Sequence, residues 1–127
     1  MNTTTLIEGL AAFSPELQEL FAEHLAYYGE TLSHVFMGEV SEFVTTLDES
    51  SSQKGGDANS LLNALFYFLE RAFQAGDDDV QNLLSVSFLE NVMERAVESP
   101  AFRQRFGPAL ERELQEVLKA HGYDVNR

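Results

Sequence analysis

Residues Asp77 to Val97, DDDVQNLLSVSFLENVMERAV, carry more apolar surface than one face of a helix can hold. At about 100° per residue, Val80, Leu83, Leu84 and Phe88 fall on one side, while Leu89, Val92, Met93, Ala96 and Val97 drift to the opposite side. Such a helix needs packing partners on two sides. Three aspartates open it, where carboxylates meet the positive end of the helix dipole and Asp77 can accept from free backbone N–H groups. The stretch predicts an all-α fold organised around a central buried helix at about 78–97.

The flanking sequence supplies the neighbours. After a cap at Asp57 or Ser60, Leu61, Leu62, Leu65, Phe66, Phe68, Leu69, Ala72 and Phe73 define a broad apolar face, closed by Gly76. Downstream, Ser99-Pro100 starts a short helix with Phe102 and Phe106 one turn apart, stopped by Gly107-Pro108. The last helix places Leu110, Leu114, Val117, Leu118 and His121 on one stripe before Gly122.

The N-terminal part reads the same way. Thr3 to Ala12 is a short helix capped by a threonine, with Leu6, Ile7 and Leu10 inward and Gly9 as an anomaly. Ser14-Pro15-Glu16 begins a second, with Leu17, Leu20, Phe21, His24, Leu25 and Tyr28 on its apolar face and Gly29 at its end. A third runs from Thr31 or Ser33 to about Glu49, with Phe36, Met37, Val40, Phe43, Val44 and Leu47 inward and Glu39, Ser41, Glu42 and Thr45 outward. Gly38 inside it costs about 0.5–1 kcal/mol relative to alanine, so another helix is expected to approach closely there. Ser50 to Asp57, SSSQKGGD, is predicted to be a flexible polar loop. The result is one compact domain over 1–127, of about six or seven helices and no strand.

Composition narrows the function. The chain has 127 residues, no cysteine and a net charge of −13. Disulfides, thiolate metal sites and a cysteine nucleophile are therefore unavailable, which fits a reducing cytoplasm. The N-terminus lacks the basic segment of a signal peptide, and no stretch nears the roughly 18 apolar residues of a membrane span. A cytoplasmic location without membrane contact is the expectation. The first 53 residues contain nine acids and no Lys or Arg, while five of the eight basic residues lie after position 99. A negative N-terminal surface repels nucleic acid and speeds encounter with a basic partner, although charge alone also serves solubility.

No catalytic motif stands out. There is no His-Glu-x-x-His pair, nucleophile elbow or phosphate loop, and Asp77-Asp78-Asp79 lacks the alternating ligands of a calcium loop. Glu23 and His24 point about 100° apart on a helix and do not face one ion. Nucleic-acid binding is disfavoured by eight cations in all. Rows of carboxylates can instead imitate a phosphate backbone and fill the basic cleft of a nuclease. Glu16, Glu19, Glu23, Glu39 and Glu42 are the candidates for that surface, with Tyr27 and Tyr28 as aromatic anchors.

Three segments, HVFMGEVSEFV from His34 to Val44, DDDVQNLLSVSFLENV from Asp77 to Val92, and LKAHGY from Leu118 to Tyr123, resemble a family of small bacterial proteins catalogued only as a domain of unknown function. The similarity runs from about Pro15 to Tyr123. It implies a compact, acidic, helical single domain and, through an association of some members with toxin neighbourhoods, an immunity role. It names no catalytic residue. The polar residues inside the motifs, His34, Glu39, Asn82, Glu90 and Asn91, are candidates to meet across a helix interface or to present a site.

The leading expectation is an immunity or antitoxin-like binding protein, with no enzymatic activity and no cofactor, that neutralises a basic toxin or nucleic-acid enzyme through its acidic helices. A different class of function is a scaffold that self-associates through leftover apolar surface such as Phe102 and Phe106. A third, a small metal-dependent enzyme, would have to use His24, His34 or His121.

Overall fold

Asp77 caps the central helix as its position requires, its side chain accepting from the Val80 N–H at 2.9 Å. The computed structural model describes residues 1–123, apart from the side chains of Ser52 and Lys54. Residues 124–127, and with them the Arg127 of the charge count, lie outside the described residues. The chain runs through α1 (Thr3–Ala11), α2 (Pro15–Tyr28), α3 (Ser33–Glu49), a single turn α4 (Ser51–Lys54), α5 (Gly56–Ala75), α6 (Asp78–Leu84), α7 (Glu90–Glu98), α8 (Pro100–Arg103) and α9 (Pro108–Ala120). There is no strand among the described residues.

Between α6 and α7, Ser85–Leu89 forms a π-helical turn, so that α6, the turn and α7 are one continuous helix. This departs from the uniform α-helix predicted for about 78–97, and it accounts for the two apolar stripes. A π turn takes one residue more than an α turn, which sets the following residues back by about 100° around the axis. Leu89, Val92 and Ala96 thereby swing toward the side of Val80, Leu83, Leu84 and Phe88, and all seven are buried. Val97 is left outside, 47% exposed. The helix still meets neighbours on several sides, with α3 and α9 against the π turn and α7, and α1, α3 and α5 against α6.

Phe66 of α5 sits at the centre of an aromatic cluster, with ring centroids 5.9 Å from Phe88, 5.5 Å from Phe102 and 5.0 Å from Phe106. Phe66, Phe88 and Phe102 are fully buried, each stabilising the fold by about 1.5–3 kcal/mol. The expectation that Phe102 leaves apolar surface free is therefore wrong, whereas Phe106 keeps part of its surface open. Phe102 is inside and Phe106 is half-buried against the same core, because both rings pack on Phe66.

Four smaller readings change. The polar segment 50–57 holds the turn α4 rather than an open loop: the hydroxyls of Ser50 and Ser51 donate to the carbonyls of Thr46 and Asp48, prolonging the end of α3. Gly55, at φ 79°, then breaks the chain direction before α5. Asn2, not a threonine, caps α1 by accepting from the Thr5 N–H. Ser41 is buried rather than outward, since its hydroxyl is satisfied by the Gly38 carbonyl at 2.7 Å. The glycines exchange roles: a Cβ on Gly38 would meet only Asn91 at an ordinary 3.6 Å, whereas one on Gly9 would lie 2.8 Å from the Phe68 ring. The close approach is at Gly9.

Candidate functional site

Ser14 and Pro15 set the start of α2, the Ser14 hydroxyl accepting from the Leu17 N–H, and Gly29 at φ 74° ends it. Glu16, Glu19 and Glu23 then repeat along one exposed stripe. The short link through Leu32 turns the chain back, so that Phe21 packs on Phe36 at 5.0 Å and Glu16 shares a hollow with Phe43 and Leu47 of α3. Glu42 is exposed on α3. Tyr27 is 82% exposed and Tyr28 40%, their rings edge to face at 4.7 Å. Four of the predicted carboxylates are thus exposed, three in a ridge along α2 and one on α3, with an exposed aromatic pair at the C-terminal end of α2.

Glu39 does not belong to it in the same way. Its carboxylate lies 2.9 Å from Nδ1 of His24, whose side chain is fully buried, while Nε2 of that ring accepts from the Leu32 N–H at 3.0 Å. An Nε2 that accepts carries no proton, so the proton is on Nδ1 and is donated to Glu39. His24 therefore ties the α2–α3 link to α3. It is a hydrogen-bonded core histidine.

The motif residues separate into three places. His34, exposed in the first turn of α3, shares a hydrogen bond through Nδ1 with the Ser87 hydroxyl in the π turn. Asn91 donates to the Ser87 carbonyl at 2.8 Å. His34 and Asn91 thus converge on the π turn, and the Asn91 amide satisfies a carbonyl there. Glu90 instead faces His121 at 3.3 Å, and Asn82 is exposed without a side-chain hydrogen bond among the described residues. His121 is itself exposed rather than part of the apolar stripe of α9.

Periodicity gives no signal for the polar residues that bind the helices together. Asp48, buried at the end of α3, accepts from Arg95 at 2.7 and 2.8 Å and from Arg105 at 3.1 and 3.2 Å. Arg105 also donates to Asn59 and Asn63, both at 2.8 Å. Glu70, buried on α5, accepts from the N–H groups of Ala109 and Leu110 and from Gln74. No fully buried side-chain nitrogen or oxygen among the described residues lacks a partner.

These pairings polarise the molecule. In the C-terminal part, Arg95 and Arg105 hold Asp48, Lys119 lies 3.4 Å from Glu116, and Arg103 holds Glu111 at 2.8 Å. The hydrogen bond to Glu111 raises the Arg103 pKa against the opposing effect of burial. Helices α1 to α3 carry no cation apart from histidine, and their carboxylates outside the His24 pair face solvent or, for Asp48, the distant arginines. Among the described residues no three metal-capable side chains gather, and no helix is long and apolar enough to cross a membrane. A cleft of about 470 Å³ between α5 and residues 104–108 has Glu70 and Arg105 on its wall, both engaged in the contacts above.

No curated protein and no solved structure matches the chain. Residues 7–122 match the model of a protein family described as domain of unknown function DUF7674, and the chain, whose helices from α1 to α9 fall almost wholly within that match, belongs to that family.

Proposed function

We propose that the protein is a binding module of the immunity or antitoxin kind, which neutralises a basic protein by covering its cationic surface with α2 and α3. It acts by occlusion rather than by catalysis. The observation that carries this reading is the ridge of Glu16, Glu19, Glu23 and Glu42, all exposed, on elements that hold no lysine or arginine. Exposed carboxylates on two adjacent helices offer negative charge of the sign that a phosphate backbone presents and that a nucleic-acid enzyme is built to hold. Tyr27, its ring edge to face with Tyr28, supplies an exposed aromatic anchor at the end of α2.

The test has two stages. Lysate of the native host is passed over the immobilised protein and washed at low and then high salt, and the retained proteins are identified by mass spectrometry. The expected product is one basic protein released by salt. Its affinity is then compared for the wild type and for the combined variant Glu16→Lys, Glu19→Lys, Glu23→Lys, Glu42→Lys. A fall of about 100-fold or more, with helicity unchanged, is expected for four reversed steering charges. Equal affinity would remove the ridge from the interface.

A further inference from the structure

The ring of His24 has both nitrogens committed and, with the α2–α3 link closed, only one proton to place. Nδ1–H donates to Glu39 at 2.9 Å, and Nε2 accepts from the Leu32 N–H at 3.0 Å. The side chain is fully buried, with ring centroids 4.9 Å from Tyr28, 5.5 Å from Phe36 and 6.2 Å from a stacked Phe21. Leu32 heads α3 without a side-chain cap. Among the described residues, its bond to His24 is the hydrogen bond that the backbone N–H groups of residues 30–32 make. The link is therefore held through one lone pair of a titratable ring.

We infer that this lone pair is a proton-sensitive latch: when His24 takes a second proton, the Leu32 N–H is released and the link opens while the helices stay packed. The device stands apart from the binding role proposed above. Nε2 is the one ring position left for a second proton, and there it would set donor against donor across 3.0 Å. A closed link thus excludes the imidazolium. Glu39 acts in the other direction, since a carboxylate in contact stabilises the imidazolium once the backbone donor has moved away. No other charged side chain among the described residues contacts the ring. The ionisable side chain of α1, Glu8, lies on the groove with Phe21 and Leu25. On α3, Glu42 and Glu49 are exposed, Asp48 is held by Arg95 and Arg105, and His34 is bonded to Ser87. Glu16, Glu19 and Glu23 of α2 and Glu30 of the link are exposed, and a phenol such as Tyr28 carries no charge in the acid range. Opening takes up one proton, so the link is held when the ring is neutral and loosens as pH falls, by at most about tenfold per pH unit. Imidazole is the side chain suited to make that change between about pH 8 and 5. Tyr27 and Tyr28 directly precede the link, so the part of α2 that loosens is its exposed aromatic end.

The experiment is an NMR titration of the full chain from about pH 8 to 5 with two readouts, a range set by imidazole chemistry. One is hydrogen exchange at Leu32, expressed as protection relative to an unstructured amide at the same pH, and the other is the nitrogen shifts of the His24 ring. At the alkaline end the proton is expected on Nδ1 alone, with Leu32 protected. As pH falls, both ring nitrogens become protonated and Leu32 loses protection over the same interval, approaching about tenfold per pH unit. Val40, inside α3, keeps its protection throughout. Glu39→Gln retains an oxygen acceptor but loses the charge, and should move the loss at Leu32 about one pH unit to the acid side. A doubly protonated ring with Leu32 still protected overturns the latch, because the closed link would then tolerate the imidazolium. Loss of protection at Leu32 while the ring keeps one proton also overturns it, and assigns the change to carboxylates. So do a ring and a Leu32 amide that both stay unchanged to the acid end, a parallel loss at Val40, or a Glu39→Gln profile equal to the wild type.

Discussion

Glu70 of α5 caps α9 from outside it, its two carboxylate oxygens accepting from the N–H groups of Ala109 and Leu110 at 2.9 Å each. The residue before α9, Gly107, has no side chain to do this, and a Cβ there would fall 2.4 Å from Glu70. A buried carboxylate at a helix N-terminus meets both free donors and the positive end of the dipole. Glu70→Ala should therefore cost about 2–3 kcal/mol, with Glu70→Gln intermediate because one acceptor remains. Urea unfolding followed by circular dichroism measures this as a shift in midpoint at constant slope. A loss within about 0.5 kcal/mol for Glu70→Ala would show that water or Gln74 replaces the cap.

Asp48 joins the two halves of the chain by a different device. Its side chain is 5% exposed and holds Arg105, 10% exposed, and Arg95, 27% exposed. Removing the shared anion strands a buried cation, while removing the more exposed Arg95 leaves Asp48 with Arg105. Asp48→Ala should cost about 3–5 kcal/mol and Arg95→Ala about 1 kcal/mol. The same unfolding measurement orders the two variants. Equal losses would mean that Arg95, not Asp48, is the centre of the network.

The sequence made the helices readable because their ends are local events. Ser14, Asp77 and Ser99 each accept from the N–H three residues on, and a cap of this kind lies wholly within a short window. Even the π turn left a sign in the sequence, as two apolar stripes that a uniform helix could not bury together. Glu70 and Asp48 left none. Their partners lie 39 residues away for Ala109, and 47 and 57 away for Arg95 and Arg105. A carboxylate on a predicted helix has no periodic feature that distinguishes an inward role from a solvated one. Glu16, Glu19, Glu23 and Glu42 stand exposed at positions their spacing already marked as outward. Glu39 was equally outward by spacing, yet it is drawn to His24 of the neighbouring helix. Gly9 and Gly38 show the same limit: each is an interior glycine in its helix, and only the position of Phe68 decides which one answers a close contact.

That division within the acidic ridge has a consequence for reversal experiments. Glu39 accepts the Nδ1 proton of the buried His24, so Glu39→Lys would set one donor against another and leave the ring nitrogen without a partner. The expected cost is about 2 kcal/mol, because the lost bond joins a charged group to a buried one. Glu39→Gln keeps an oxygen acceptor and should cost less than about 1 kcal/mol. Glu42→Lys, three residues along the same helix and exposed, should stay within about 0.5 kcal/mol of the wild type. Thermal unfolding of the three variants separates these cases, and amide exchange at Leu32 reports the link directly, since its N–H is held by His24. Faster exchange at Leu32 in Glu39→Lys but not in Glu42→Lys would confirm that Glu39 acts on the α2–α3 link through His24. Unchanged exchange in both would return Glu39 to the free surface and to the set of charges available to a partner.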